Sequence, residues 1–173
     1  IDALNAHKHV LCEKPMIITP AQGNAVLKVM EKSLGVFVVS YHFEFIPEVQ
    51  FLKETLHKFG DINCFRFRSS EYFSPTPAKA WNYTKHIGGV WLDWAPNALS
   101  VLRKVIAKND CFNTFKILDT KLKSSFNLEI ETNVYLKIQL DHIEGELLLD
   151  WEANAGEFIA QTTFWDSNGT EIL

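Results

Sequence analysis

The sequence contains few cysteines, no excess of basic residues and no long apolar run. Its three cysteines, Cys12, Cys64 and Cys111, lie far apart and lack the short Cys/His spacings of a zinc site. This pattern predicts no metal and favours reduced thiols in a cytoplasmic setting. The chain has 17 Lys and Arg against 21 Asp and Glu, a formal net charge of −4 at pH 7, which argues against nucleic acid as a partner. Charged residues interrupt every apolar run before the roughly 20 residues that span a bilayer, so no membrane partner is predicted.

The remaining composition is that of a globular protein of 173 residues, 47% hydrophobic and 13% aromatic. This length accommodates one ordinary domain, or one domain with part of another. The first residues have the pattern of a helix entered midway rather than of a signal peptide. Only residues 170–173 follow the hairpin signal Asn168-Gly169. We therefore expect a chain that is cut at both ends.

The first 45 residues predict a strand, a helix and a second strand. Residues 9–15 form a short apolar run that ends at polar residues and a proline. Thr19 and Pro20 are typical of a helix start, and Gly35 is typical of a left-handed helix stop. Residues 36–41 are almost continuously apolar, as in strands covered on both faces. The order predicts a parallel βαβ crossover.

The pattern changes after about residue 45. A helix over residues 47–59 with Gly60 as its stop is followed by a strand over 62–67 and by a helix that Pro96 begins. From residue 112 the apolar period is two, which predicts an antiparallel sheet with one solvated face. The predicted fold is the C-terminal end of a Rossmann-type parallel sheet (residues 1–45) joined to an α+β domain (residues 46–173). This second domain has a large, mostly antiparallel sheet and is incomplete at its C-terminus.

Ligands of doubly wound sheets bind at the carboxyl ends of the strands, which directs attention to Glu13, Lys14 and Pro15. A lysine placed there can hydrogen-bond a substrate hydroxyl, and desolvation can lower the pKa of its ammonium group. The alternative interpretation is a solvated lysine where a strand meets a loop.

A second group of polar residues surrounds the predicted helix start near residue 96. Asp93 and Asn97 are four residues apart, so both project the same way if the helix already includes Asp93. A carboxylate there could deprotonate a substrate hydroxyl while the amide holds a neighbouring one. Alternatively, Asp93 only caps the helix.

Together these two segments resemble the glucose-fructose oxidoreductase, inositol dehydrogenase and MocA family. Residues 3–15, Ala-Leu-Asn-Ala-His-Lys-His-Val-Leu-Cys-Glu-Lys-Pro, are similar to its A-L-x-A-G-K-H-V-x-x-E-K-P signature. Gly88-Gly89-x-x-x-Asp93 falls where the family has G-G-x-x-x-D-x-G-x-H-x-x-D. The resemblance implies an NAD(P)-dependent oxidoreductase of sugars or polyols. It also implies a homo-oligomer formed through the antiparallel sheet.

The second signature departs from the family at two positions, where Asn97 and Ser100 replace its usual His and Asp. The aldose 1-dehydrogenase branch, which acts on sugars such as L-arabinose and D-galactose, looks similar, with D-x-x-x-N-A-L-S. This resemblance implies that Lys14, Asp93 and Asn97 surround the anomeric carbon. By the same resemblance, Glu13 and Pro15 shape the cofactor side, where Lys14 also hydrogen-bonds the nicotinamide ribose. The candidates to line the sugar pocket are His42, Trp81 and Trp151.

The predicted reaction is hydride transfer from C1 of an aldose to NAD or NADP, with a lactone as product. The residues that distinguish the two cofactors would precede Ile1, so both stay open. A different class of protein is also consistent with Asn97 in place of the usual histidine. This class consists of regulators of this fold that bind NAD(P) without catalysis, such as a fungal galactose-pathway repressor. A cleaved, inactive piece is the third possibility.

Overall fold

The computed structural model describes residues 1–72, 83–85, 88–125 and 128–172. Contacts within the chain divide it into two compact units, Ile1–His42 and Phe43–Leu173. The helices are α1 (Asp2–Asn5), α2 (Pro20–Met30), α3 (Pro47–Thr55) and α4 (Val90–Ile106), and the strands are β1 (Val10–Glu13), β2 (Phe37–Ser40), β3 (Ile62–Glu71), β4 (Phe115–Lys123), β5 (Asn133–Leu140), β6 (Ile143–Asp150) and β7 (Phe158–Asp166). Among the described residues, no helix combines the length and apolar character needed to cross a membrane.

The first unit is the predicted βαβ crossover. β1 and β2 pair in parallel, with Val10 opposite Phe37. Between them, α2 begins with a capping box, in which the Thr19 hydroxyl accepts from the amide of Gln22 and the Gln22 side chain accepts from the amide of Thr19. The prediction of a helix starting at Pro20 is therefore confirmed.

Two details of the first unit differ from the predictions. α2 ends at Met30, so Gly35 does not stop it, and the backbone of Gly35 is not left-handed. The glycine is needed for space, because a Cβ there would lie 2.1 Å from the carbonyl oxygen of Lys8. The strands are not covered on both faces, since Leu11, Val36 and Val38 are exposed in this chain.

The second unit is built on a five-stranded sheet in the order β4-β5-β6-β3-β7. β3 and β6 pair in parallel, and the other neighbours are antiparallel. Side chains alternate strictly in β5, where Val134, Leu136, Ile138 and Leu140 are buried and the residues between them are partly exposed. The predicted antiparallel sheet with one solvated face is thus confirmed.

The buried face of this sheet packs against α4 and forms the core with it. Ala98 and Leu102 of α4 and Leu147 of β6 have no exposed surface. α4 begins at Val90 rather than at Pro96, which lies inside the helix. The predicted start was wrong because proline suits the first turn but does not require it.

An ion-pair network connects α3 to the C-terminal end of α4. Asp110 accepts from Lys104 of α4 at 2.8 Å and from Lys53 of α3 at 3.1 Å. The hydrogen bond from Lys104, followed by that from Lys53, lowers the pKa of the Asp110 carboxyl group. The carboxylate therefore stabilises the fold above its unfolded-state pKa, and this contribution is lost as the pH falls through the lower folded-state pKa.

We expect Asp110→Asn to lower the free energy of unfolding at about pH 7 by less than about 1 kcal/mol, because these side chains are partly exposed. The difference from wild type should shrink as the pH falls toward about 2, where both Asp110 and its replacement are neutral. Urea unfolding across this pH range measures the effect. Glu54→Gln on the exposed side of α3 is the control, and a pH-independent loss for Asp110→Asn would contradict the ion-pair explanation.

Candidate functional site

The N-terminus of α4 is held by a residue from the segment before β5. The amide of Val90 donates to the carbonyl of Glu131 at 3.0 Å, and the amide of Trp91 donates to its carboxylate at 3.3 Å. Both are among the first helical N–H groups, which lack partners within the helix, and a negative charge is favourable there. Glu131 therefore stabilises the first turn of α4.

Gly89 allows this close approach. Its φ of +102° is in the region that L side chains rarely adopt, and a Cβ there would lie 2.2 Å from a carboxylate oxygen of Glu131. The second glycine of the Gly88-Gly89 pair therefore has a structural purpose in this chain. Sequence reasoning missed Glu131, because it lies about 40 residues after Gly89 in a segment without a motif.

Asp93 is the fourth residue of α4, on its first turns, and is half-buried. The alternative that it caps the helix is wrong, because Gly89 occupies the cap position. The side-chain amide of Asn97 donates to the carbonyl of Asp93 at 3.3 Å. Because α4 already includes Asp93, Asp93 and Asn97 lie on the same side of the helix.

Asn97 carries an unusual buried acceptor. The residue is 5% exposed, and its Oδ1 has no hydrogen-bond partner among the described residues. A buried acceptor without a partner costs about 1–3 kcal/mol. An incoming hydroxyl group could remove this cost by donating its proton to Oδ1.

Asn97 also lines a cavity of about 290 Å³ inside the second unit. Other residues of the lining include Val49, Leu52, Phe67, Val101 and Thr162, which come from both helices and the sheet. Trp94, also in the lining, is buried between Phe43 and Phe158, with ring centroids 5.8 Å and 5.7 Å away. The environment of Asn97 is therefore largely apolar and aromatic, which strengthens any hydrogen bond formed there.

Trp151 directly follows β6 and is 2% exposed. Its indole N–H donates to Glu71 at 2.9 Å, and its backbone amide donates to the carbonyl of Thr132, the neighbour of Glu131. This backbone hydrogen bond links Trp151 to the segment with Glu131, which stabilises the first turn of α4. Trp81, the other predicted aromatic residue of the pocket, lies outside the described residues.

The remaining predicted site residues belong to the first unit. Glu13 is the last residue of β1, and the half-buried Lys14 follows it, joined to Pro15 by a cis peptide bond. His42 lies after β2, at the start of a short 3-10 helix, and is exposed. Glu13, Lys14 and Pro15 thus mark the carboxyl end of β1, and His42 lies just beyond the carboxyl end of β2, which pairs with β1 in parallel. This edge is where open α/β sheets bind ligands.

The parallel crossover and the following mixed sheet define the fold class: a Rossmann-type parallel sheet followed by a mostly antiparallel sheet. Residues 1–41 match the family model GFO_IDH_MocA, described as the oxidoreductase family with an NAD-binding Rossmann fold. No curated protein matches the sequence significantly.

Several solved structures share the fold of the chain. GenD2 from gentamicin A biosynthesis, in complex with NAD, has a TM-score of 0.83 and 15% identity over 98% of this chain and 48% of that chain. Levoglucosan dehydrogenase with NADH and levoglucosan has a TM-score of 0.81 and 19% identity over 95% and 47%. An inositol dehydrogenase homolog with NAD⁺ from Azotobacter vinelandii has a TM-score of 0.81 and 19% identity over 95% and 45%.

This chain spans about half the length of these proteins. The structural likeness confirms the predicted fold class, a Rossmann-type parallel sheet followed by a mostly antiparallel sheet. The family model, which covers residues 1–41, supports the family that the first sequence motif resembles. Neither comparison singles out the aldose 1-dehydrogenase branch.

Proposed function

We propose that these residues are part of an NAD(P)-dependent oxidoreductase that removes hydride from a hydroxyl-bearing carbon of a sugar or polyol. The carbon that we expect to be oxidised is C1 of a cyclic aldose, because the motif around Asp93 resembles that of the aldose 1-dehydrogenase branch. The observation that carries the proposal is the pair on α4: the half-buried Asp93, and Asn97, whose buried Oδ1 has no partner among the residues that the structure describes. Such a pair suits a ligand with two neighbouring hydroxyl groups.

The residues at the end of β1 fit a nicotinamide dinucleotide, NAD or NADP. They follow a strand of a parallel pair, and the family model that covers them is of an NAD-binding fold. When bound, the cofactor supplies the hydride acceptor. Glu13 and Pro15 would shape the cofactor side, and the ammonium group of Lys14 would donate hydrogen bonds to hydroxyl oxygens there.

The protein groups would act on the hydroxyl proton. Asp93 would accept the proton of the reacting hydroxyl as the general base, and Lys14 would hydrogen-bond the same oxygen. Asn97 would accept a hydrogen bond from a neighbouring hydroxyl at Oδ1, because its Nδ2 already donates to the helix backbone. An asparagine cannot relay a proton as an imidazole does, so this chemistry would rest on Asp93.

His42, Trp81 and Trp151 would form the sugar side of the pocket. The C–H face of a sugar packs well against an indole ring. Since Trp151 is buried and hydrogen-bonded to Glu71, it would form part of the inner wall. Three free cysteines suit a reducing compartment such as the cytoplasm.

The open face of the five-stranded sheet would form contacts between copies of the chain. It carries both signs of charge close to aromatic rings: Arg66 pairs with Glu146 at 2.8 Å and lies over the ring of Trp165. Tyr135 donates to the same Glu146 at 3.0 Å. A face with both charges can be complementary to itself in a twofold dimer.

The test is steady-state turnover of the intact protein that contains these residues, with NAD and NADP and a panel of aldoses and polyols. We expect reduction of the cofactor with at least one aldose. Binding of the cofactor without oxidation of any panel member would favour the alternative function, a regulator that binds NAD(P) without catalysis. Sedimentation of the same preparation tests the proposed oligomer. A monomer at micromolar concentration would contradict contacts between copies through the open face of the sheet.

A further inference from the structure

Glu71 is a half-buried residue at the carboxyl end of β3. Residues 65, 67 and 69 of this strand are buried, so by alternation the side chain of Glu71 lies on the face of the sheet that packs against α4. β3 pairs in parallel with β6, and Trp151 directly follows the last residue of β6. The carboxyl ends of two parallel strands therefore meet beside Glu71.

Only one oxygen of the Glu71 carboxylate has a partner among the described residues. Oε1 accepts a hydrogen bond from the indole N–H of Trp151 at 2.9 Å, and no ion pair within the described part of the chain includes Glu71. Trp151 is 2% exposed, and its backbone amide is bound to the carbonyl of Thr132. The fixed indole thus orients the carboxylate and leaves Oε2 as an acceptor for an incoming donor.

Aromatic rings lie on both sides of this carboxylate. Tyr83 meets the ring of Trp151 edge-on, with ring centroids 6.4 Å apart. Phe158 lies directly opposite Glu71 on β7 and is 60% exposed. Aromatic rings pack against the C–H groups of a sugar, and a carboxylate accepts hydrogen bonds from its hydroxyl groups. Both kinds of contact are therefore available at the end of β3.

A series of contacts connects Glu71 to the first turns of α4. Direct neighbours on antiparallel strands have their Cβ atoms about 4.5–5.5 Å apart on the same face, which places Phe158 beside Glu71. The ring of Phe158 lies 5.7 Å from the ring of Trp94, between centroids. Trp94 directly follows Asp93, the proposed base. Glu71 and Asp93 thus belong to the same end of the second unit.

We propose that Glu71 is a further substrate-binding residue, whose Oε2 accepts a hydrogen bond from a hydroxyl group of the sugar away from the reacting carbon. Asp93 takes the proton of the reacting hydroxyl and Asn97 binds its neighbour, so Glu71 selects sugars that carry a third hydroxyl group. A substrate without this group leaves the charged acceptor without a partner, which makes the selection strong. Glu71 then belongs to the sugar pocket of the proposed function, on which this inference rests.

The test replaces Glu71 with Gln in the intact protein. The indole N–H of Trp151 requires an acceptor, so it holds the amide oxygen and directs the NH₂ group to the position of Oε2. The variant keeps its shape and its contact with Trp151 but presents a donor in place of the free acceptor. We expect KM for the best aldose of the panel to rise about tenfold or more, with a much smaller change in kcat.

The midpoint of thermal unfolding should be the same for Glu71→Gln and wild type, because the hydrogen bond to Trp151 is kept. Glu54→Gln is the matched control, since it makes the same chemical change at an exposed position of α3. It should change neither KM nor the midpoint of unfolding.

Singly deoxygenated analogues of the aldose identify the hydroxyl group that Glu71 binds. One analogue should bind wild type about tenfold more weakly than the parent sugar does, whereas Glu71→Gln should bind this analogue and the parent about equally. Calorimetric titration of the intact protein, saturated with reduced cofactor, measures these affinities without turnover.

The outcomes separate Glu71 from the proposed activity. Equal affinity of wild type and Glu71→Gln for every sugar that wild type oxidises would overturn the role of Glu71 alone. Sugar binding that needs Glu71, without oxidation, would support this role and contradict the oxidoreductase. Equal weakening of the parent and every analogue, with a lower midpoint of unfolding, would assign Glu71 a structural role and overturn the inference. If no sugar binds, both proposals fail.

Discussion

Replacing Asp93, the proposed general base, with Asn is expected to lower kcat/KM of the intact protein by about 10²–10⁴-fold, the usual contribution of such a base. The amide has the same shape as the carboxylate but cannot take a proton. Because Asp93 is on the first turns of α4 and does not cap the helix, the substitution should leave the fold unchanged. Steady-state kinetics with saturating cofactor and the best aldose of the panel measures the effect.

Asp110→Asn is the matched control for this substitution. It makes the same chemical change beyond the other end of α4, where Asp110 accepts from Lys104, and we expect its turnover to equal that of wild type. The Asn97→Ala variant should mainly raise KM, because Asn97 is proposed to hold a neighbouring hydroxyl and not the reacting proton. An Asp93→Asn variant as fast as wild type would exclude Asp93 as the base.

Gly89→Ala is expected to have the largest effect on stability among the site variants. The φ of +102° imposes strain of about 1–3 kcal/mol on any residue with a Cβ. The Cβ would also displace the Glu131 carboxylate, which holds the first turn of α4. Both the free energy of unfolding and turnover should fall, since Asp93 is positioned by this turn. Chemical denaturation and steady-state kinetics measure the two losses.

Gly60→Ala provides a close control. Gly60 has nearly the same φ, +103°, but no heavy atom lies within 4 Å of the Cβ position. It should therefore show the backbone strain alone, with unchanged turnover. In the Gly89→Ala background, Glu131→Ala should cost less stability than in wild type, because the displaced carboxylate is already lost. Equal stability losses for Gly60→Ala and Gly89→Ala would show that the contact with Glu131 is unimportant.

Local patterns in the sequence predicted the elements that depend on local interactions. Thr19, Pro20 and Gln22 lie within one helical turn, so the start of α2 follows from neighbouring residues. The period of two in β5 reflects the burial of one sheet face along a single strand. Gly60 stops the helical segment at Phe59 with a positive φ, as predicted from its position.

The start of α4 could not be predicted this way. Pro96 is a good local signal for a first turn, but the actual first turn is stabilised by Glu131, from a distant part of the chain. The same long-range contact explains Gly89. The exposure of Phe115, Ile117 and Leu122 on β4 could not be predicted either, because only the order of the strands places β4 at an edge of the sheet.

Transfer of deuterium from a C1-deuterated aldose to the nicotinamide ring would distinguish a dehydrogenase from a protein that only binds the cofactor. Mass spectrometry of the cofactor after incubation with the intact protein detects the label. We expect labelled, reduced cofactor with wild type and a strong decrease with Asp93→Asn. Tight binding of the cofactor without labelling by any deuterated aldose or polyol would exclude the proposed hydride transfer.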